Sequence, residues 1–140
     1  MKTLIVKLVS AGLVIGTAAF GSGYQCDGYS SEGVEWAVKM YNHASVESRV
    51  PAVLVVSNEA AGTLLRRSDA EIKKVNRRNT VQYVIEGNRK IDADTVIFQV
   101  AHKEGKETLE PGQVTTGQLI LVKDEAREVI ELTCSRYLKN

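Results

Sequence analysis

Few side chains in this 140-residue sequence have the types and spacing that chemistry requires. Cys134 with His43 or His102 would resemble a Cys-His pair, in which the imidazole removes the thiol proton to make a nucleophile. Asp92 and Asp94 lie two residues apart and would point to the same side of an extended segment. No second ligand cluster accompanies them, so we expect turn carboxylates here and ordinary polar surface roles for the histidines.

The motifs of common enzymes are missing from the sequence. It has no glycine-rich phosphate loop, no His-Glu-x-x-His and no Gly-x-Ser-x-Gly. Two cysteines are too few for a Cys-only zinc site, which takes about four ligands. The net charge of +1 argues against a strongly basic nucleic-acid binder, and 6% aromatic residues make a base-stacking platform unfavourable. We therefore expect no enzyme, no cofactor, no metal and no nucleic-acid partner.

The start of the chain has the pattern of a secretory leader. Lys2 and Lys7 precede an apolar run from Leu8 to Phe20, and no acid occurs in residues 1–21. This pattern predicts a signal peptide at 1–21, cleaved after one of three small residues, Ala19, Gly21 or Gly23. The run is shorter than the roughly 20 apolar residues that a membrane span needs. The alternative is a buried N-terminal strand or helix.

Two cysteines, Cys26 and Cys134, would remain in the secreted domain, residues 22–140. In an oxidising compartment such a pair is expected to form a disulfide. This bond would tie together the two ends of a single domain. The alternative is a pair of free buried thiols.

One segment has helical periodicity. From Ser31 to Ser45 the apolar residues recur at helical spacing, as Val34, Ala37, Val38, Tyr41 and Ala44. Ser31 would cap the helix, and Pro51 makes its continuation unfavourable.

The remainder of the chain has the alternation and turn signals of strands. Five are predicted, at Ala52 to Val56, Thr80 to Ile85, Thr95 to Ala101, Thr115 to Val122 and Val129 to Cys134. No helical crossover separates the later strands, so we expect antiparallel pairing. The predicted class is α+β, with one N-terminal helix packed on a curved antiparallel sheet of four to five strands.

A basic stretch lies between the predicted strands. Two acids, Asp69 and Glu71, are interleaved with six basic residues, Arg66, Arg67, Lys73, Lys74, Arg77 and Arg78. Ser68 and Asp69 have the residue types that cap a short helical turn. A solvated face or loop is the simplest interpretation. The alternative is a docking surface for an acidic partner, a glycosaminoglycan or a lipid headgroup.

Two parts of the sequence resemble the cystatin superfamily. The segment Ala37 to Ser45, preceded by Glu32-Gly33-Val34, is similar to the helix of that family. The segments Gly117 to Val122 and Ile130 to Cys134 are similar to the closing hairpin of cystatins and of cathelin-like domains. The resemblance implies a cystatin-like fold.

In inhibitory cystatins two hairpin loops and an N-terminal glycine form a wedge that blocks papain-like cysteine proteases. The resemblance places the trunk at Gly28 and the two loops at Asn58, Glu59, Ala60, Ala61 and Gly62 and at Asp124, Glu125, Ala126 and Arg127. The family's Gln-x-Val-x-Gly loop keeps only its glycine here, and its Pro-Trp pair is absent because the single tryptophan is Trp36.

Three functions follow from these observations. The first is a secreted inhibitor of papain-like cysteine proteases that inserts hairpin loops into the active-site cleft. The second is a non-inhibitory binding or host-defence module, cathelin-like, with an acidic or glycosaminoglycan partner. The third is a small-molecule-binding or enzymatic cone-shaped α+β domain, which would need a pocket between helix and sheet, lined by residues such as Tyr41, Tyr83 and Phe98.

Overall fold

The fold is a single antiparallel sheet. The structure, a computed structural model, describes residues 22–41, 53–101 and 114–138. In these ranges the chain forms nine strands: β1 Ser22–Tyr29, β2 Glu35–Tyr41, β3 Val53–Asn58, β4 Gly62–Ser68, β5 Lys73–Asn76, β6 Thr80–Glu86, β7 Thr95–Ala101, β8 Val114–Lys123 and β9 Ala126–Leu138. A three-residue 3-10 helix, Asp69–Glu71, lies between β4 and β5.

The sheet consists of two meanders joined at one pair of strands. Its order is β4-β3-β2-β1-β9-β8-β7-β6-β5. Strands β1 to β4 form the first meander and β5 to β9 the second, each strand pairing with the next along the chain. Pairing between β1 and β9 joins the meanders.

The chain connectivity forces this sheet to curl. Its two edge strands, β4 and β5, are joined by only four residues, which reach at most about 15–20 Å. A flat sheet of nine strands would separate its edges by about 38 Å, because neighbouring strands lie about 4.8 Å apart. The sheet therefore bends into a curled half-barrel.

Aromatic side chains meet across the concave face of this curl. The rings of Tyr24 on β1 and Phe98 on β7 lie edge to face with centroids 6.4 Å apart, although β9 and β8 separate their strands. Tyr83 on β6 stacks on Phe98 at 5.8 Å. The sheet packs its own inner surface without a covering helix in the described ranges. The core consists mainly of the inward residues of these strands, including Val38, Met40, Leu54, Val56, Leu65, Val81, Ile85, Val96, Leu119, Ile130 and Leu132.

The convex face carries a chain of polar side chains that crosses four strands. Nε2 of Gln82 donates to Oε1 of Gln99 at 2.7 Å, and Nε2 of Gln99 donates to Oε1 of Gln118 at 3.3 Å. Nε2 of Gln118 then donates to Oε2 of Glu131 at 2.9 Å. The four residues are directly opposite one another in the register of β6 to β9, so this amide ladder reinforces that register.

The predicted helix from Ser31 to Ser45 is wrong over its described part. Residues 31–33 lie in a turn, and Glu35–Tyr41 is strand β2. The segment fits a two-residue period as well as a helical one, because Trp36, Val38 and Met40 are apolar and occupy every second position. These three side chains are the buried ones, and their neighbours are less buried. Pairing with β1 and β3 decides between the two periods. Residues 42–45 lie outside the described ranges.

The α+β, cystatin-like fold is therefore wrong, because the sheet has nine strands rather than four to five and no N-terminal helix packs on it in the described ranges. The predicted antiparallel pairing is confirmed, and the five predicted strands correspond to β3, β6, β7, β8 and β9. Sequence patterns missed β1, β4 and β5, which are rich in Gly, Ser, Lys or Arg, and assigned the segment of β2 to a helix. The predicted leader, residues 1–21, lies outside the described ranges.

Candidate binding surface

The predicted disulfide is present. Cys26 and Cys134 are bonded and buried, and they face each other in the register between β1 and β9. Their sulfurs are therefore unavailable as nucleophiles, which removes the Cys-His pair. His43 and His102 lie outside the described ranges. No group of three or more His, Cys, Asp or Glu side chains in the described part of the chain is arranged to hold a metal ion.

The six residues of the basic stretch lie on or beside the two edge strands of the sheet. Arg66 and Arg67 belong to β4, Lys73 and Lys74 to β5, and residues 77–78 to the turn before β6. Arg67 is half-buried and the other five are exposed. Four residues link the end of β4 to the start of β5, so the two edge strands approach each other at this link. We call the six residues Arg66, Arg67, Lys73, Lys74, Arg77 and Arg78 the basic seam.

A local hydrogen-bond network holds the middle of the basic seam. The backbone N–H and the hydroxyl of Ser68 both donate to Oε1 of Glu71, each at 3.1 Å. These bonds, with a smaller contribution from Arg67, whose Nε lies 3.9 Å from Oε2 of Glu71, lower the pKa of the Glu71 carboxyl. The short turn expected at Ser68 and Asp69 is thus a single 3-10 turn. It engages one of the two acids that interrupt the positive charge.

The two edges of the seam differ in how their backbone is occupied. A β-bulge shifts the register between β3 and β4 at Val56 and Ser57 of β3, and the extra residue, Leu64, belongs to β4. Its carbonyl oxygen accepts a hydrogen bond from Nδ2 of Asn88 at 3.1 Å. The carbonyl oxygen of Arg66 accepts one from Nη1 of Arg67 at 2.9 Å. Within the ranges that the structure describes, no side chain donates such a bond to the backbone of Lys73, Lys74 or Val75 on β5.

The first predicted inhibitory loop is the β3–β4 turn. Residues Glu59, Ala60 and Ala61 form its tip, Oδ1 of Asn58 accepts the N–H of Ala61 at 2.7 Å, and Gly62 has a φ of +75°. Oε1 of Glu59 accepts the N–H of Glu35 at 2.9 Å, so its carboxylate points back to β2.

The second predicted loop is the β8–β9 turn. Asp124 and Glu125 have φ angles of 49° and 71°, the left-handed pair of a tight two-residue hairpin. Ala126 and Arg127 are the first residues of β9 rather than loop residues. Lys123 bonds to Asp92, which raises the pKa of Lys123.

A third loop brings the two predicted loops to the same end of the sheet. Residues 87–94 connect β6 to β7. Asn88 reaches Leu64 beside the first turn, and Oδ2 of Asp94 accepts the N–H of Asp124 in the second at 3.1 Å. Neither contact has a signal in the sequence, because both join residues far apart in the chain. The expectation that Asp92 and Asp94 are turn carboxylates agrees with their positions.

Gly28 occupies a strand position rather than a flexible trunk. It is opposite Trp36 in β2, which in turn is opposite Asn58. A Cβ atom at Gly28 would collide with the carbonyl oxygen of Glu131 on β9. The glycine therefore permits close approach of β1 to β9.

The predicted pocket residues Tyr83 and Phe98 are buried and stack on each other in the core. A separate open cleft of about 470 Å³ lies beside the 87–94 loop. Its lining charges, Glu86, Arg89, Asp92, Asp94 and Lys123, are of both signs. This mixed lining favours no single ligand class.

Comparison of the chain with protein family models, with curated proteins and with solved structures finds no match. The resemblance to cystatins thus has no support beyond the sequence motifs, and its helix motif lies partly on strand β2. In the part of the chain that the structure describes, no helix is long and apolar enough to cross a membrane.

Proposed function

We propose that this protein is a non-catalytic binding module that holds a polyanionic partner on the basic seam. The observation that carries the proposal is the position of six basic side chains on β4, on β5 and just after β5, around the four-residue link between these strands, with five of them exposed. Two acids, Asp69 and Glu71, accompany them, so the stretch keeps an excess of four positive charges, six against two. The net charge of +1 for the chain therefore conceals a strongly positive stretch.

The spacing of the seam suits an extended polyanion. At physiological salt, dissolved ions screen the interaction between exposed charges that are more than about 8–10 Å apart, so a single surface lysine attracts a distant anion only weakly. Several adjacent cations that contact one chain of negative groups add their effects and release counterions, which makes binding fall as salt rises. This salt dependence is the signature by which the proposal is tested.

Retention on immobilised heparin tests the seam. The protein is expected to elute at a salt concentration well above that of two seam variants, Lys73→Gln with Lys74→Gln and Arg77→Gln with Arg78→Gln. A matched variant, Lys39→Gln with Arg127→Gln, removes the same charge from β2 and β9 and is expected to elute like the unmodified protein. Equal losses in all three variants, or no retention of the unmodified protein, would show that the seam is not a polyanion site.

We also propose that the protein is exported. The predicted leader at 1–21 and the buried disulfide support this, because disulfides persist in oxidising compartments. Mass spectrometry of protein secreted from an expressing cell is expected to show a start after residue 19, 21 or 23. A full-length chain retained with reduced cysteines would contradict export.

Inhibition of papain-like cysteine proteases is a second candidate. The observation that favours it is that the 59–61 and 124–125 turns lie at one end of the sheet and are bridged by the 87–94 loop. Titration against papain is the test, with Gly62→Arg as the variant. We expect the protein to inhibit papain and this variant to inhibit it much more weakly. The arginine side chain would project from the loop into open space and keep the loop out of the active-site cleft. No inhibition at micromolar protein would exclude this candidate.

A further inference from the structure

We propose that the edge of β5 accepts an extended acidic peptide as an additional strand. This inference rests on the proposed polyanion site and names the class of partner. Strand β5, Lys73–Asn76, pairs with β6 on one side, and the described residues supply no strand on its other side. Such an edge presents backbone donors and acceptors to which another chain can pair.

The other edge of the seam is a poorer acceptor. A strand added to β4 would need its free carbonyl groups, but side chains already occupy two of them. Asn88 donates to the oxygen of Leu64 and Arg67 donates to the oxygen of Arg66. The bulge at Leu64 also breaks the regular spacing that a ladder requires. These features leave β5 as the accepting edge.

The side chains of β5 specify the charge of the partner. Lys73 is opposite Val84 and Lys74 is opposite Tyr83, so the two ammonium groups leave the strand on opposite faces. A peptide with carboxylates at consecutive positions would place one beside each lysine, where opposite charges across strands attract. Arg77 lies exposed just beyond the end of the strand, within reach of a further acid.

The same lysines disfavour pairing of this edge with the β5 edge of a second copy of the chain. Two β5 edges brought together would gather four lysines on one short ladder, and like charges crowded on neighbouring strands are unfavourable. Lysine on an edge strand thus repels an identical edge and attracts an acidic one. A sulfated polysaccharide lacks the amide groups that pair with a strand and would use only the charge.

Fluorescence anisotropy with two labelled eight-residue peptides separates strand pairing from charge. The first contains glutamate, valine and threonine with adjacent glutamates in its centre, and the second has the same side chains but methyl groups on alternate backbone nitrogens. We expect the first to bind and the second to bind at least tenfold more weakly. Binding of the first should protect the amide of Lys74 from hydrogen exchange, because the amides of Lys73 and Val75 already face β6, and binding should weaken in Lys73→Gln with Lys74→Gln. The control Lys39→Gln with Arg127→Gln should bind it normally.

The possible results are distinguishable. Equal binding of both peptides, or retention on heparin with binding of neither peptide, would overturn strand addition and leave the polyanion site in place. Absence of binding to both peptides and to heparin would overturn both proposals. Protection from exchange confined to residues outside 73–76 would also overturn strand addition, because the peptide would then lie elsewhere.

Discussion

Cys26 and Cys134 lie directly opposite each other on β1 and β9, the pair of strands that joins the two meanders. They are 108 residues apart in the chain, and their Cα atoms are 4.0 Å apart. Within the described sheet, no other strand pair links residues of the first meander to the second. The disulfide therefore fastens the joint between the two halves of the fold.

Removing this bond is expected to reduce stability strongly. In the chain-entropy model a crosslink that closes a loop of about 100 residues contributes about 4–5 kcal/mol. The variant Cys26→Ala with Cys134→Ala should therefore unfold at a much lower urea concentration than the oxidised protein. Hydrogen exchange should show that the amides of β1 and β9 open first. An unchanged unfolding midpoint would show that strand pairing alone holds the joint.

We expect that position 117 tolerates only glycine, because the disulfide packs against it. A Cβ atom at this position would lie 2.6 Å from Sγ of Cys134 and 2.9 Å from the carbonyl oxygen of Gln99. Gly117→Ala should lower the free energy of unfolding by about 1–3 kcal/mol, the usual cost of overpacking a core.

A double-mutant cycle tests the cause of the Gly117→Ala effect. In the background Cys26→Ala with Cys134→Ala the sulfur is gone, so the substitution should cost less, although the clash with Gln99 remains. Thr116→Ala, at an exposed neighbour on β8, is the control and should change stability little. An equal cost of Gly117→Ala in both backgrounds would contradict a role for the sulfur.

The amide ladder predicts a measurable coupling between strands. Gln99→Met keeps the length of the side chain but removes the bonds to Gln82 and Gln118. Each net hydrogen bond contributes about 0.5–1.5 kcal/mol, so we expect a loss of about 1–2 kcal/mol in urea unfolding. Gln82→Met, which loses only the first of these bonds, should cost less. Equal costs would show that the ladder does not act as a chain.

Glu71 predicts a pH dependence of the turn between β4 and β5. Bonds from Ser68 lower the pKa of its carboxyl below the ordinary value of 4.5. The folded state thus favours the charged form, and this stabilisation is complete above pH 4.5 and is lost as the pH falls through the lowered pKa. NMR titration should find the low pKa in the protein and a higher one in Ser68→Ala. An ordinary pKa in both would contradict the network.

Sequence patterns predicted the parts of the fold whose signal is local. Strand β7 is predicted at Thr95–Ala101, the range that the structure has, because this mainly apolar and β-branched run lies between turn-rich segments. The disulfide was expected from cysteine count and compartment alone. The basic stretch was also visible, since its charges are adjacent in the chain.

Tertiary structure decided what depends on partners distant in the chain. The segment Glu35–Tyr41 satisfies both a helical and a strand period, and only the neighbouring strands β1 and β3 settle which of its faces is buried. The same holds for the site. The sequence determined that six basic residues lie close together in the chain, whereas the tertiary structure decided that they lie on and beside the two edge strands of the sheet. The curl follows from the short link between β4 and β5. Only the pairing of all nine strands shows that this link joins the two opposite edges of the sheet.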